Sequence, residues 1–416
     1  MDNKLILVLG GGRHQVALID YIQRAGYPVL LSDYLANSPG HGIAAVSTLT
    51  DALDSHANIS LAKHHDVQGV ITTGTDQPLV TMADVADGLG LPCYLTPWSA
   101  RACTDKQLMF NVLSGAGIKI PRYYLVRSNI QLLELTPELR FPLVVKPIDS
   151  QGQRGITIAE SQSELSKSAL YAWDESSSDS IIIQEFVHGP EMTISAWVSD
   201  KNPQIMLITD RVTYNRSPAT GVCLQHIYPS MHIKNLESAA QKFVNAIASA
   251  YQIEEGPLYI QCVRENDELH LIEASCRIGG GHEERLIEQI TGINVHEHLL
   301  NLSLHGCSKD FPTIPKFPLP DSHALVNFLI ARPGVFESTE APDTTTDNPF
   351  GGFYYGPGYT QDTVINSMGR VGYFVCKSSS REKLMAYSSS LYSEFIARDP
   401  AGENLVYWPD SRHLNQ

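Results

Sequence analysis

The first hundred residues alternate short apolar runs with amphipathic segments, a pattern that predicts strands alternating with helices. The apolar runs predicted as strands are Lys4 to Leu9, Pro28 to Ser32, Val67 to Thr72 and Pro92 to Leu95, and the predicted helices are His14 to Ala25 and Pro78 to Leu89. Such βαβ alternation predicts a parallel, doubly wound sheet. Ligands of such sheets bind at the carboxyl ends of the strands, here the loops Gly10 to His14 and Thr73 to Gln77.

Beyond residue 104 the apolar runs are arranged as an α+β region. Its predicted strands are Phe141 to Pro147, Ile156 to Ala159, Ile181 to Val187, Met192 to Val198 and Leu258 to Val263, and its predicted helices are Ser161 to Glu175, Leu236 to Tyr251 and Val295 to His305. Four prolines between 312 and 320 indicate a linker. We therefore expect three domains, at 1–103, 104–310 and 311–416, the last with short strands and a helix.

Composition restricts the class of partner more than it restricts the fold. The chain has 416 residues, 43% of them hydrophobic, and 45 acids against 30 bases give a formal charge of -15. This acidity disfavours nucleic acid and anionic membranes as partners. The apolar start leads into glycines and is interpreted as a first strand. Seven cysteines without a CxxC pair suggest buried thiols in a cytoplasmic protein.

A run of three glycines, Gly10 to Gly12, follows the first strand, and Asp33 stands about 20 residues further on. This spacing resembles a dinucleotide fingerprint and supports an NAD-dependent oxidoreductase as one hypothesis. The third glycine of that fingerprint is replaced by Gln15. A tight turn between strand and helix, or a turn that lines a substrate pocket, explains the glycines equally well.

The stretch Leu269 to Glu284 combines a buried strand with charged side chains. Glu273, Ser275 and Arg277 alternate along it before three glycines end the strand. Carboxylates hold Mg²⁺ through oxygen, and arginine holds phosphate through its planar fork. The pattern therefore predicts either a metal–nucleotide site or an ordinary salt bridge at a strand end.

Two lysines precede that stretch in unusual positions. Lys106 opens a helix, where a cation opposes the helix dipole, and Lys146 interrupts the apolar run FPLVVKP. The loop SQGQRG that follows, with Ser150, Gly152 and Gly155, is suited to wrapping a phosphate with backbone N–H groups. A surface lysine and a plain glycine hairpin are the structural alternatives.

Five motifs occur in the order found in the ATP-grasp superfamily. They are the helix start at Lys106, the VVKP strand with Lys146, the SQGQRG loop, the QEFVHGPE segment and the IEASCR strand. The whole chain resembles a carboxylate–amine ligase of the carbamoyl-phosphate-synthetase-like type, similar to L-amino acid (dipeptide) ligases. The resemblance implies an ATP-grasp fold over 104–310 with a lid at about 121–184. It also implies a small C-terminal α+β domain.

The resemblance also implies a role for individual residues. Lys106 and Lys146 match the lysines that contact the nucleotide phosphates, and Ser150, Gly152 and Gly155 match the flap that closes over them. Glu185, Phe186 and Val187 match the hinge that reads adenine, and Glu191 matches the acid that binds ribose. Gln261, Glu273 and Ser275 match the metal ligands, and Arg277 matches the arginine at the transferred phosphoryl group. The implied catalytic residues are Arg277 and Lys146. The family usually has ExNxR, whereas this chain has Ser275 at the middle position.

Candidate substrate residues follow in the half of the domain that faces the reaction. They are Arg211, Arg216, His226, Gly280 and His282. Arg211 and Arg216, on either side of a Tyr-Asn loop, are suited to holding a carboxylate. Surface arginines and structural histidines are the alternatives.

Together these observations predict a ligase that uses ATP and Mg²⁺ or Mn²⁺. It would join a carboxylate, expected to be an amino acid, to an amine through an acyl phosphate. The alternatives within the superfamily are purine-pathway or biotin-carboxylase-like enzymes that activate formate or bicarbonate. A non-catalytic nucleotide-binding protein is a further alternative, because of Ser275. The expected partners are small molecules, with no nucleic acid or membrane, and a homodimer is compatible with the resemblance.

Overall fold

The computed structural model describes residues 4–149, 152–215, 219–314, 319, 322–343 and 348–415. Its first elements are β1 (Ile6–Leu9), α1 (Arg13–Arg24), β2 (Val29–Ser32), β3 (Val46–Thr48), α2 (Ser55–His64), β4 (Gly69–Ile71), α3 (Pro78–Leu89) and α4 (Pro97–Ala102). The four strands form a parallel sheet in the order β3-β2-β1-β4. All residues of β1 are buried, as expected for a parallel sheet covered on both faces. The predicted doubly wound start of the chain is confirmed.

The predicted strand at Pro92 to Leu95 is wrong, because the segment is irregular. Proline has no N–H for a sheet, and the amide of Leu95 donates to the Cys93 sulfur at 3.4 Å. Tyr94 and Leu95 are buried all the same, and Pro92 and Cys93 are half-buried. Tyr94 donates its hydroxyl hydrogen to the Cys276 carbonyl at 2.9 Å, which ties this segment to the middle of the chain.

The glycine turn after β1 is held by a carboxylate of the chain itself. The Asp33 side chain accepts from the amide of Gly11 at 2.7 Å and from that of Leu35 at 2.8 Å. Gly40 lies against Gly11, and an added Cβ on Gly40 would approach the Gly11 Cα to 2.7 Å. Because both Asp33 oxygens are engaged and the turn is covered, the geometry favours a structural turn over a dinucleotide site.

A small antiparallel sheet follows the N-terminal unit. Its elements are α5 (Lys106–Gly115), β5 (Tyr123–Val126), α6 (Asn129–Leu135), β6 (Leu143–Pro147), β7 (Thr157–Ala159), α7 (Gln162–Asp174) and β8 (Ile181–Glu185). The strands are ordered β5-β8-β6-β7. α7 packs its buried face on this sheet, and the two share an apolar cluster separate from the main core. This sheet lies in the range predicted as the lid, and it is called the lid sheet below.

A second, larger antiparallel sheet is the centre of the molecule. It is built from β9 (Glu191–Ser199), β10 (Asn202–Tyr214), β11 (Cys223–Tyr228), α8 (Glu237–Ala250), β12 (Gly256–Glu265), β13 (Glu268–Ser275), α9 (Glu283–Thr291) and α10 (Val295–His305). Its first five strands are ordered β13-β12-β9-β10-β11. α8 covers β10 and β13, and α10 packs on β4 of the N-terminal sheet. The two sheets therefore share one continuous apolar core.

The C-terminal strands extend this central sheet. The elements are β14 (His323–Ile330), β15 (Gly334–Val335), β16 (Ser338–Glu340), β17 (Phe350–Phe353), β18 (Thr360–Gln361), β19 (Arg370–Ser378), α11 (Arg381–Glu394), β20 (Ile396–Arg398) and β21 (Leu414–Asn415). β14 pairs with β11, and the sheet continues through β19 to β17. None of the helices in the described ranges is long and apolar enough to cross a bilayer.

Candidate active site

A cavity of about 920 Å³ lies between the lid sheet, the central sheet and the loops of the N-terminal sheet. Four parts of the chain contribute to its wall. They include His14, Gly74, Thr75 and Asp76 from the N-terminal loops, Lys146, Gln153, Gln184 and Glu185 from the lid, Arg211, His226, Gln261, Glu273 and Arg277 from the central sheet, and Ser367 and Arg370 from the C-terminal part. The loop Thr73 to Gln77, predicted to face a ligand, thus contributes three residues to the cavity.

Lys106 and Lys146 both line the cavity. Lys146 lies on β6 with its side chain buried, and its ammonium group donates to the Gln184 amide oxygen at 2.9 Å. Burial and the nearby charge of Lys106 lower the pKa of Lys146 to about 8, although Glu273 opposes the shift. A buried ammonium beside a second cation is costly unless an anion compensates both. This part of the cavity is therefore suited to phosphate.

The residues proposed to read adenine also lie on the wall. Glu185 ends β8, Phe186 and Val187 follow it, and all three line the cavity. The amide of Glu185 donates to the Arg122 carbonyl at 2.8 Å, and that of Phe186 to the Pro142 carbonyl at 3.2 Å. Neither of these two amides can therefore donate to a ligand without losing its present bond.

Glu191, the proposed ribose acid, lines the same cavity but already forms an ion pair. Its Oε2 lies 2.6 Å from Arg211 Nη1, and Thr213 donates to its other oxygen at 3.4 Å. Arg211 is buried, so the pair is shielded from solvent. The charge of Arg211 is thus largely compensated within the protein.

Two of the three proposed metal ligands face each other across β12 and β13. Gln261 and Glu273 are directly paired in the register of these strands and both line the cavity. The Gln261 amide nitrogen donates to the Tyr259 hydroxyl at 3.2 Å, which leaves its carbonyl oxygen as a ligand. Ser275 is fully buried and is absent from the cavity wall as the described residues define it.

This donor set fits Mg²⁺ held together with phosphate. Mg²⁺ is commonly bound by one or two carboxylates plus substrate phosphates, not by a closed protein cage. Accordingly, no group of three or more His, Cys, Asp and Glu side chains suited to a metal occurs in the described parts of the chain. Glu273 and Gln261 are the residues that could hold the ion.

Arg277 is held by an acid of the N-terminal unit. Its Nε donates to Asp76 Oδ1 at 2.6 Å, and its guanidinium lies 4.7 Å from the centre of the Tyr259 ring. Burial acts to raise the pKa of Asp76, but Arg277 and Ser275 outweigh it, and the pKa is lowered. The pair fixes the direction of the guanidinium while leaving part of its fork for a ligand.

The proposed substrate residues divide into two groups. Arg211, His226 and Gly280 line the cavity, whereas His282 does not appear on its wall. His282 forms a 2.7 Å hydrogen bond with the Tyr354 hydroxyl and stacks on Tyr373 at 3.4 Å. These contacts make His282 a link to the C-terminal loop.

The flap residues are less completely described. Gly152 lines the cavity, and Gly155 lies behind it, where an added Cβ would approach Pro147 to 2.6 Å. Gly155 therefore serves close packing of the hairpin. The predictions for Ser150 and Arg216 lie outside the described residues.

Asp76, Glu283 and Arg370 were not predicted as site residues, although all three line the cavity. Asp76 lies in a loop predicted to face a ligand, so its position was indicated but its role was not. Glu283 lies in the stretch Leu269 to Glu284, but its acidic type there was given no role, whereas Arg370 follows no recognisable motif and reaches the cavity through tertiary packing.

Residues 139–284 match the family described as ATP-grasp domain. The chain contains an ATP-grasp domain. The matched range covers most of the predicted lid, the strands that carry Arg211 and Glu273, and Arg277 just beyond β13. The predicted resemblance to ATP-grasp ligases is confirmed, and enzymes of this kind generally use ATP with Mg²⁺ or Mn²⁺.

Curated relatives of this ATP-grasp chain include two kinds of enzyme. A formate-dependent phosphoribosylglycinamide formyltransferase of Bacteroides fragilis is 26% identical over 261 residues, which are 59% of this chain and 64% of the relative. A D-alanine–D-alanine ligase of Pseudomonas putida is 30% identical over 138 residues, 32% of this chain and 42% of the relative. The chain thus aligns with less than two thirds of either relative.

Solved structures share the fold over nearly the whole chain. An L-amino acid ligase from Bacillus licheniformis has a TM-score of 0.78 at 20% identity and covers 95% of this chain and 98% of its own. A phosphoribosylglycinamide synthetase from Anaerococcus prevotii has a TM-score of 0.75 at 19% identity, with 95% and 99% coverage. At these identities the likeness shows that the ATP-grasp fold is shared.

Proposed function

We propose that this protein is an ATP-dependent carboxylate–amine ligase that forms an amide or peptide bond on amino-acid substrates. The observation that carries the proposal is the meeting of Lys146, Arg277 and Glu273 on one cavity wall within the ATP-grasp match. A carboxylate is a poor acyl donor. Transfer of the γ-phosphoryl group of ATP to it gives an acyl phosphate, which the amine then attacks with release of phosphate. The products are the amide, ADP and phosphate.

The residues of the chain supply positioning and charge. Lys106 and Lys146 bind phosphate oxygens, and Arg277 binds the phosphoryl group as it is transferred. Asp76 positions Arg277 through the 2.6 Å contact described above. Phosphoryl transfer depends chiefly on such neutralisation and on in-line alignment, so no nucleophilic side chain is required. The lid covers the cavity and excludes water from the acyl phosphate.

Glu273 and Gln261 would hold a divalent cation beside the phosphates. When bound, Mg²⁺ or Mn²⁺ neutralises the negative charge that develops on the phosphoryl group. Gln261 is a neutral ligand, and Ser275 is buried away from the cavity wall. The site thus depends on Glu273 for its negative charge.

A second candidate function is activation of formate or bicarbonate. It is favoured by the longer alignment with the formate-dependent formyltransferase of Bacteroides fragilis. The same phosphate-binding residues would serve this reaction, since formate and bicarbonate also form acyl phosphates. The two candidates differ in the carboxylate and in the amine that accepts the acyl group.

The proposal is tested by incubating the protein with ATP, Mg²⁺ and pooled amino acids, and measuring ADP and phosphate. Formate and bicarbonate, each with pooled amines, form parallel arms. We expect ADP and phosphate in equal amounts in the amino-acid arm, with the product identified by mass spectrometry. Release of AMP, or the absence of turnover with every carboxylate tested, contradicts the ligase. Turnover confined to the formate or bicarbonate arm supports the second candidate.

The affinity for ATP is expected to depend on pH through Lys146. The pKa of this lysine is lowered to about 8 by burial and by Lys106, so its positive charge is lost as the pH rises through that value. If the charged form binds phosphate, the KM for ATP should rise roughly tenfold between about pH 7 and pH 9. The Lys146→Arg variant stays charged over this range and should show a flatter profile. An equal rise in both proteins would assign the effect to another group.

A further inference from the structure

Three buried arginines line the described part of the cavity, and one of them has no acidic partner. Arg211 and Arg277 each lie 2.6 Å from a carboxylate oxygen, of Glu191 and Asp76 respectively. Arg370, the first residue of β19, forms no ion pair with any described residue. The third guanidinium of the wall is therefore left without a counter-charge.

The surroundings of Arg370 are apolar on one side and open to the cavity on the other. Its side chain is 8% exposed, and the guanidinium lies 3.8 Å from the centre of the Phe328 ring. Its Nε is buried and has no hydrogen-bond acceptor among the described residues. Burial lowers the pKa of Arg370, as expected for a guanidinium that lacks an anion.

A carboxylate on the same wall is also incompletely bonded. Glu283, the first residue of α9, is 1% exposed, and its Oε2 accepts from the amide of Gly281 at 2.5 Å. Its Oε1 lies 3.3 Å from His226 Nε2 without the alignment of a hydrogen bond. Glu283 is near enough to oppose the fall in the pKa of Arg370, yet the two form no ion pair.

The glycines before α9 make room for this carboxylate. An added Cβ at Gly279 would lie 2.5 Å from the Glu283 carboxyl group, and one at Gly281 would lie 2.9 Å from it. The three-glycine turn thus lets the acid fold back against the backbone at the cavity wall. Although His226 is an ion-pair neighbour of its Oε1, this buried acid keeps an oxygen without a hydrogen bond, which can accept from a further cationic donor.

We propose that Arg370 and Glu283 form a binding site for a zwitterionic α-amino acid, with its carboxylate on Arg370 and its ammonium group at Glu283. This proposal deepens the proposed function. It rests on that function where it identifies the bound amino acid as the amine substrate of the ligase. The carboxylate that is activated must meet Arg277 and the phosphates. The ammonium group passes a proton to the Glu283 carboxylate, its nitrogen attacks the acyl carbon, and phosphate leaves. A carboxylate on Arg370 stays free, so the product is a peptide with a free carboxyl end.

The chemistry of the two residues sets the specificity of the site. A planar guanidinium pairs with a carboxylate in two parallel hydrogen bonds, which an amide or an ester of the same amino acid cannot reproduce. The Glu283 oxygen is satisfied by an ammonium hydrogen but gains less from a hydroxyl group. Amino acids blocked at either end should therefore bind poorly.

The test measures binding separately from turnover. Each proteinogenic amino acid is titrated calorimetrically against the full chain with Mg²⁺ and a non-hydrolysable ATP analogue. For each amino acid that binds, its amide and its α-hydroxy acid are then compared. We expect roughly tenfold or greater weakening for both analogues. The site is overturned if the wild-type protein binds none of the amino acids, or if it binds the amide and the α-hydroxy acid as tightly as the amino acid itself.

Variants assign the two ends of the ligand. Arg370→Gln should bind the amino acid and its amide equally weakly, and Arg370→Lys should recover part of the preference. Glu283→Gln should abolish the preference for the amino acid over the α-hydroxy acid. Arg332→Gln is a matched control, because Arg332 is exposed and lies over the Tyr407 ring away from the cavity. If Arg370→Gln keeps the preference for the free carboxylate, the assignment is wrong.

The outcomes separate this site from the proposed function. Selective amino-acid binding without ADP release under any condition leaves the site standing and removes the ligase. The site is removed and the ligase stands if ADP release is equally efficient with simple amines and with amino acids, and if the KM for the amino acid is unchanged in Arg370→Gln. The analogue comparison on the wild-type protein decides the question even where a variant fails to fold.

Discussion

Replacing Arg277 by lysine is expected to lower kcat by about 10²- to 10³-fold while the protein remains folded. Lysine keeps a cation beside Asp76, which lies 2.6 Å from Arg277, but lacks the planar fork that can hold Asp76 and a phosphoryl group together. Arg277→Ala should abolish turnover. It also leaves a buried carboxylate unpaired, at a cost of about 3 to 5 kcal/mol in the free energy of unfolding.

The measurements are steady-state ADP release and urea unfolding on each variant. Arg101→Ala is the matched control, since Arg101 also pairs with an aspartate, Asp84 at 2.8 Å, but on the half-exposed surface. A surface pair of this kind contributes roughly 0 to 1 kcal/mol, so the control should keep both kcat and stability. Near wild-type turnover in folded Arg277→Lys and Arg277→Ala would remove Arg277 from the reaction.

Lys146→Met is expected to lower kcat/KM for ATP by about 10²-fold or more with a small change in stability. The substitution removes a buried cation that the protein compensates with a neutral acceptor, the Gln184 oxygen at 2.9 Å. Losing the charge removes a desolvation cost and so stabilises the folded protein. Leaving the Gln184 oxygen without its donor destabilises the folded protein by about 1 to 3 kcal/mol. These effects oppose each other, so the free energy of unfolding should change by less than the affinity for ATP.

ATP binding by calorimetry and urea unfolding check this expectation. Lys119→Met serves as the control, because Lys119 is half exposed and pairs with Glu268 on the surface. It should bind ATP as the wild-type protein does. If Lys146→Met also binds ATP normally, the two-lysine phosphate site is wrong, and the low pKa of Lys146 would have a purely structural origin.

The fold was predictable where local pattern and burial agree. The β1 run of apolar residues and the amphipathic α1 specify a parallel unit, and the order of weak motifs indicated the lid and the central sheet. Pro92 to Leu95 was misread because buried apolar residues need not pair in a sheet. An apolar pattern indicates that side chains are buried but does not fix the backbone conformation, and this segment is packed in the protein without forming a strand.

The site was predictable where one strand carries its chemistry, and not where distant segments meet. Glu273 lies on β13 and Arg277 follows the end of that strand within the same motif, so their grouping is visible in sequence. Asp76 is 201 residues from the arginine it holds. Arg370 and Glu283 become notable only through single atoms without a hydrogen bond among the described residues, Arg370 Nε and Glu283 Oε1, and that property exists in the folded chain alone.

The continuation of the central sheet into the C-terminal strands limits how the protein can be divided. A chain cut at the proline linker would keep every residue of the ATP-grasp match but would strip β14 from β11, which carries His226. The open edge would expose a row of unpaired backbone donors and acceptors, a template for aggregation. Engineering of this protein should therefore treat the ATP-grasp range and the C-terminal region as one inseparable piece.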